Sequence, residues 1–426
     1  MINNLEQPLS TDTQAILLLC GHFGNQMKSE IKPLTSSEYA RFAQWLQLQN
    51  MRPADLLETA SATKIKRFID KTITPGRLMA LLMRGGALAL AVEAWTNKGL
   101  WIISRSDKAY PSRLKKQLGQ TAPPIFYGVG QPTLLQKGGI AVVGSRDINK
   151  QMIDFTKIIA KKSAQQRMTV ISGGARGVDT EAMLTALVHG GTVVGVLADS
   201  LTRAAIAGKY RDALREERLV LISSFDPDAG FNVGNAMARN KYVYALSDWS
   251  VVVNSGYQEG GTWMGATENL KAQWVPLFVR QDEPISVGNQ HLINQGAIAI
   301  DKKTLQEITD LRQQLSQLSE TLPVVKENDF VKTHHKDEID VVDITEKDKE
   351  IKDLYDIAWP HIERQLVTEK TEKVLAEHFN LYPKQLRIWL TRALENGKIR
   401  KLKKPVRYIV NIESESEDQQ TLFTLS

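Results

Sequence analysis

Cysteine is almost absent from this chain: Cys20 is the one thiol among 426 residues. One thiol cannot close a disulfide or furnish a cysteine-type zinc site, which fits a reducing compartment, the cytoplasm. Cys20 ends the apolar run Ala15-Ile16-Leu17-Leu18-Leu19-Cys20 and reads as a small core residue rather than a nucleophile. No apolar run approaches the roughly 20 residues that cross a membrane. The start, Met1-Ile2-Asn3-Asn4-Leu5-Glu6, lacks a basic stretch of the secretory kind. No membrane partner is expected. Histidine is scarce too, and His334 and His335 have no ligand cluster around them. They read as solvated, and neither a metal nor a cofactor is expected.

What the chain does have is a core and an uneven charge. Hydrophobic residues make up 42% and charged residues 24%, enough for two to four packed domains at this length. The formal charge is +6, and residues 351–410 carry 13 Lys/Arg against 7 Asp/Glu, which accounts for all of it. A basic module on a near-neutral body points to a nucleic-acid contact. Glu413 to Asp418 is acidic.

The spacing of apolar residues divides the chain further. Residues 1–98 read as a helical domain. Thr11-Asp12-Thr13 caps one helix, Ser36-Ser37-Glu38 precedes another, and Pro75 starts a third. Residues 99–320 read as α/β. Leu100 to Ile103 and Pro123 to Gly128 are expected as strands that pack against a main sheet. Six further apolar strands are expected at Ile140–Val143, Met168–Ile171, Thr192–Leu197, Leu219–Ser223, Ser250–Asn254 and Val275–Val279. Such near-continuous apolar strands between helical stretches predict a parallel sheet covered on both faces, an extended Rossmann-type domain. Residues 301–320 predict one helix. Residues 321–349 are poor in apolar residues and read as a linker. Residues 411–426 form an acidic tail.

Ligands of such sheets bind at the carboxyl ends of the strands. Three polar, glycine-rich segments fall there: Gly144-Ser145-Arg146, Ser172-Gly173-Gly174-Ala175-Arg176-Gly177-Val178-Asp179, and Asn254 to Thr262. Small residues let backbone N–H groups approach an anion, and the helix that follows adds its positive end. Arginine adds charge-assisted contacts to phosphate oxygens. Asp179 opens a helix and reads as a structural partner of N–H groups rather than a base. No nucleophile with its base is evident, so no catalytic residue is assigned and no enzyme is expected.

Residues 350–410 read as a winged helix-turn-helix domain, three helices followed by a basic hairpin. Lys384, Arg387 and Thr391 fall on one face of the third helix. Lys401, Lys403, Lys404 and Arg407 lie in the hairpin. These seven are the expected contacts of that domain with DNA.

With these residues in view, 99–280 resembles the DNA-processing protein A family (DprA, also called Smf). The matching pieces are Asp107…Tyr110-Pro111…Leu114, Pro123 to Tyr127, Val142 to Arg146, and Ile171 to Asp179 with Ala182, Ala186 and Leu187. Ala238-Arg239-Asn240-Lys241, Ala245 to Asp248 and Val251 to Val253 also fit. The resemblance implies a Rossmann-type domain between a SAM-like helical domain and a winged helix. It implies binding of single-stranded DNA as a recombination mediator, loading of a RecA-type recombinase, and a homodimer. By motif it places Arg146, Arg176, Arg239, Asn240 and Lys241 on DNA phosphates. Gly144, Ser145, Ser172, Gly173, Gly174 and Gly177 shape the pocket, and Gly260-Gly261-Thr262 sits where the family has its Ser-Gly-Ser/Thr loop. Apart from the resemblance, Tyr257 or Trp263 is a candidate to stack bases, with Trp263 expected as a buried core residue rather than a stacking platform.

The chain departs from the family pattern at Ala198-Asp199-Ser200-Leu201, Ser223-Ser224, Ala236-Met237, Lys241 and Met183. It is identified as a divergent member, for DNA uptake, general recombination, or a mobile-element or phage-defence system with a partner encoded nearby. Two other readings stay open. One is an antitoxin-like regulator whose winged helix binds duplex DNA or restrains a partner. The other is a nucleotide N-glycoside hydrolase, which Glu259-Gly260-Gly261-Thr262 faintly resembles.

Overall fold

The computed structural model describes residues 9–23, 31–320, 354–379, 383–402 and 406–411. The chain divides into two compact bodies, Met1–Lys326 and Glu327–Ser426. The linker segment 321–349, most of the acidic tail, Lys403 and Lys404 lie outside the described residues.

The first body begins with five helices: α1 (Thr11–Cys20), α2 (Ser36–Leu48), α3 (Ser61–Ile65), α4 (Pro75–Leu82) and α5 (Gly85–Asn97). Capping chemistry sets their starts. Ser10 rather than Thr11 caps α1, its hydroxyl accepting the Thr13 amide. Thr35 and Glu38 close a reciprocal capping box on α2. Thr74 caps α4, with Pro75 supplying a φ already suited to the first turn. The apolar faces of these helices, Leu17, Phe42, Leu46, Leu78, Leu81 and Trp95 among them, join one buried cluster with Ile125, Tyr127, Val142 and Leu221 of the sheet.

The rest of this body alternates: β1 (Trp101–Ser104), α6 (Ser112–Leu118), β2 (Ile125–Gly130), β3 (Ile140–Val143), α7 (Lys150–Gln165), β4 (Val170–Ser172), α8 (Val178–Val188), β5 (Val193–Val196), α9 (Leu201–Ala205), α10 (Gly208–Arg215), β6 (Leu219–Ser223), α11 (Val233–Leu246), β7 (Trp249–Val252), α12 (Gly260–Ala272), β8 (Leu277–Arg280), α13 (Val287–Asn294), β9 (Ile298–Ile300), α14 (Lys302–Glu307) and α15 (Leu311–Glu320). Nine strands form one sheet in the order β1-β2-β6-β5-β4-β3-β7-β8-β9. From β6 to β9 every pair is parallel.

The sheet is therefore mixed. β1 and β2 do not pack on it but join it, antiparallel, beyond β6. The indole of Trp101 covers its cross-strand partner Gly128, where a Cβ would stand 2.2 Å from the ring. A ninth strand, β9, closes the other edge. The single helix expected over 301–320 is two, because Asp310 accepts the Gln313 amide and starts a new helix.

Side-chain alternation makes the layers. Ile140 and Val142 face the cluster shared with α7, α8 and the N-terminal helices. Ala141, Ile171, Val194 and Ile222 face the opposite side with Tyr242, Val243 and Leu246 of α11. α12 and α13 cover β7 and β8 through Trp263, Ala266 and Leu292. This is a doubly wound α/β fold. Its connections run one way from β3 to β6 and the other way from β7 to β9, so the winding reverses between β3 and β7.

The second body holds α16 (Leu354–Gln365), α17 (Glu372–His378), α18 (Pro383–Glu395) and an antiparallel hairpin of β10 (Ile399–Leu402) and β11 (Arg407–Val410). Trp359, Ile362, Leu366, Leu375, Leu386, Leu390, Ile399 and Tyr408 form its own core.

Candidate nucleic-acid interface

At the point where the winding reverses, a cleft of about 1050 Å³ opens over the carboxyl ends of β3 and β7. Three glycine-rich segments meet there. Gly144, Ser145 and Arg146 leave β3, Asn254 to Gly256 leave β7, and Gly260, Gly261 and Thr262 open α12. The free amides of the first turn of α12 and its positive dipole end thus stand at the wall of the cleft.

The loops are braced by half-buried polar groups. Ser145 Oγ donates to Asn254 O at 3.2 Å and accepts from Asn254 Nδ2 at 2.8 Å, tying the β3 loop to the β7 loop. Asn240 Nδ2 on α11 donates to Gly261 O at 2.8 Å, fixing the start of α12. Gly177 has φ +89, and a Cβ there would stand 2.3 Å from Ser145 O. Only glycine lets the α8 loop pack so closely on the β3 loop.

Asp179 is the keystone of the second loop. It is buried, and it accepts the Ala175 amide at 3.4 Å, with the Gly173 and Gly144 amides also directed at it. Burial raises its pKa, and Arg239 opposes that shift. Arg239 is 6% exposed and 3.8 Å from Asp179. Its Nη1 donates to Val196 O at 2.9 Å. Burial lowers the Arg239 pKa, and Asp179 opposes it. Gly173 is required beneath it, since a Cβ there would collide with the Arg239 guanidinium.

Several expected anion contacts accordingly change role. Arg239 is a buried, neutralised wall of the cleft rather than a free cation. Ser172 is fully buried, and its hydroxyl donates to Val142 O at 2.7 Å, out of a ligand's reach. Lys241 is half-buried, does not line the cleft, and lies 5.5 Å from the Tyr242 ring centroid. Arg176 is exposed and pairs with exposed Asp147 at 2.5 Å. Gly173, Gly174 and Arg176 line an adjoining groove, and Gly177 a shallower recess beside it.

Arg146 is the exposed cation on the rim of the cleft, its guanidinium 4.9 Å above the ring of exposed Phe231. Trp263 is buried, 8% exposed, and cannot offer its face to a base. Tyr257 is 40% exposed in the cleft, stacked on His291 at 4.0 Å and edge-on to Trp263. The Tyr244 hydroxyl and Asn254 Oδ1, on residues that line the cleft, are buried without a hydrogen-bond partner among the described residues. Buried polar atoms left in this state fit a site that receives a polar ligand.

Sequence reasoning missed Phe231, and it missed Asn289. The Asn289 side chain accepts the Ser255 amide at 2.9 Å and donates to Arg280 O, locking the β7 loop to α13. An amide inside a helix carries no sequence signal of that task. Among the described residues, no group of three or more His, Cys, Asp or Glu is arranged to hold a metal ion. No single helix among the described residues is long and apolar enough to cross a membrane. Burial pushes the Cys20 thiol up, away from nucleophilic chemistry.

In the second body Arg387 and Thr391 are exposed on α18, as is Lys401 on β10. Arg387 is bridged to Glu372 at 2.7 Å, and Arg407 is bridged to Glu369. Lys384 belongs to α18, and its side chain lies outside the described set.

A family model described as DNA recombination-mediator protein A matches residues 101–313. The DNA processing protein DprA of Bacillus subtilis is 27% identical over 230 residues, 50% of this chain and 72% of that protein. The DNA processing protein DprA of Streptococcus pneumoniae is 26% identical over 196 residues, 45% of this chain and 67% of that protein. The X-ray structure of DprA from Streptococcus pneumoniae aligns with a TM-score of 0.53 at 18% identity, covering 70% of this chain and 98% of that one. That structural likeness bears on the fold.

Proposed function

This chain belongs to the DNA recombination-mediator protein A family, whose model spans half its length, and from that premise we propose that its cleft grips the phosphates of single-stranded DNA. The protein acts as a recombination mediator in the cytoplasm, as a homodimer that hands the strand to a RecA-type recombinase.

One observation carries the reading. Arg146 stands exposed on the cleft rim, with no carboxylate partner among the described residues, where loop glycines and the first turn of α12 present backbone amides. This is an anion grip. Exposed aromatic faces at the same opening, Phe231 and Tyr257, suit bases rather than a compact cofactor. Ser145, Gly260, Gly261 and Thr262 present the backbone, Gly144 shapes the loop with its amide held by Asp179, and Asn240 sets the start of α12. The second body is proposed as a winged helix that contacts duplex DNA through Arg387, Thr391, Lys401 and Arg407, and Lys384, Lys403 and Lys404 are proposed as further contacts from the sequence alone.

The test is fluorescence anisotropy with a labelled single strand across a salt series. The Arg146→Ala/Arg176→Ala variant is expected to bind at least about tenfold more weakly at low salt. Its log-log salt slope should be shallower by about 1.4, the value for two phosphate contacts on a single strand. Unchanged affinity and slope would remove the cleft as the reader.

A further inference from the structure

The cleft has a neighbour. A groove of about 540 Å³ shares Arg146 and Phe231 with it and continues along the carboxyl end of β5 to α9 and α10. Arg203 of α9 and Lys209 of α10 line this groove, and both are exposed. Lys209 also lines the shallower recess that contains Arg146 and Arg176. These residues come from the segment after β5, where the sequence leaves the family pattern, and no motif points to them.

The charges on these surfaces are not mutually cancelled. The carboxylates are Asp147, Glu181 and Asp199. Asp147 bridges Arg176 at 2.5 Å, Glu181 faces Lys157 at 3.6 Å, and Asp199 lies within electrostatic reach of Arg239. Asp147 and Glu181 are thus each paired, while Asp199 shares Arg239 with Asp179 and is the one carboxylate among the described residues lining the groove. Arg146, Arg203 and Lys209 have no carboxylate partner among the described residues. Between the cleft and the groove stands Phe231, 57% exposed beneath the Arg146 guanidinium. A cleft rimmed by Arg146 and a basic groove, separated by an aromatic ridge, match a polymer that alternates phosphate with planar base, and not a single compact anion.

We infer that the groove is a second anion subsite for the same strand, which runs from the cleft over the Arg146–Phe231 ridge to Arg203 and Lys209. The inference rests on the single-strand reading of the cleft and adds a direction and a length to it. A strand long enough to fill both hollows gains contacts that a short one cannot make.

The full-length protein is titrated with oligothymidylates of about 4 and about 16 nucleotides, within the range of single-strand site sizes. The readout is the ratio of long-strand to short-strand affinity. Arg203→Ala/Lys209→Ala is expected to cut that ratio at least about fivefold. It should also lower the salt slope on the long strand by about 1.4. Arg203→Glu/Lys209→Glu is expected to cut the ratio further, and Arg146→Ala to weaken both lengths. An unchanged thermal midpoint shows that each variant is folded. If the ratio and slope stay at wild-type values while Arg146→Ala still weakens both lengths, the groove is overturned and the cleft reading stands. Equal losses on both lengths also overturn it, since the two cations then act as a diffuse field and not as a track. If Arg146→Ala leaves both lengths unaffected, the cleft reading fails and the groove falls with it.

Discussion

At the scale of single residues, charge is sorted by burial. Arg239 and Asp179 face each other in the interior, where an isolated charge is costly. Their task is to hold the 173–175 loop and the β5 end together. Arg146 keeps its charge in solvent, and Arg176 shares its charge with Asp147 across an exposed bridge. Such exposed bridges contribute about 0.2–1 kcal/mol, so a phosphate can displace Asp147. Asp147→Asn should therefore free Arg176 and remove a like charge from the strand's path. Single-strand affinity is expected to rise about two- to fivefold at low salt, and the gain should shrink as salt screens the pair. Titration of this variant at two ionic strengths checks it. No gain at low salt would mean that Arg176 makes no contact with the strand.

At the scale of elements, the strands were legible and their partners were not. Runs such as Ile140–Val143 and Leu219–Ser223 announce themselves by continuous apolar, β-branched residues. The β9 run is three residues long, too short to stand out. Nothing in Trp101–Ser104 or Ile125–Gly130 encodes antiparallel pairing, because pairing direction is decided by what lies beside the strand. The glycine loops of the site were readable because backbone approach demands glycine. The burial of Arg239 was not, since a motif reports a residue's presence and not the packing around it. Caps were readable in kind. The box of Thr35 and Glu38 is reinforced by Arg77, which donates to the Glu38 carboxylate at 2.7 Å and to the Pro33 carbonyl at 2.9 Å. The Arg77 hydrogen bond leads the causes that lower the Glu38 pKa from 4.5 to about 2. A carboxylate with a depressed folded-state pKa stabilises above its unfolded value and loses that contribution as pH falls through the folded one. Glu38→Gln should thus cost about 1 kcal/mol at neutral pH, allowing for partial exposure, and progressively less between pH 4.5 and about 2. Thermal midpoints of wild type and variant across that window read the difference. An equal gap at pH 7 and pH 3 would sever the link between Glu38 ionisation and stability.

At the scale of the whole molecule, the two bodies carry their charge differently. The cleft of the first body combines one exposed arginine, backbone amides and aromatic faces, which suits an unpaired strand whose bases are free to stack. The second body exposes Arg387, Thr391 and Lys401 on a helix and a hairpin, with Arg387 and Arg407 held in internal ion pairs. A helix face of this kind suits the major groove of a duplex. The internal pairs are exposed, so phosphates can compete for those arginines at little cost. A chain ending at about residue 345 should therefore keep most of its affinity for short single strands and lose most of its affinity for duplex. It should still form β1 to β9, because their core draws on no residue of the second body. Parallel titrations of the truncated and full-length chains with single-stranded and duplex oligonucleotides at one salt concentration decide it. If truncation removes single-strand binding and spares duplex binding, the assignment of the two bodies is reversed. If it removes both, the second body is the sole reader and the cleft must hold something smaller than a strand.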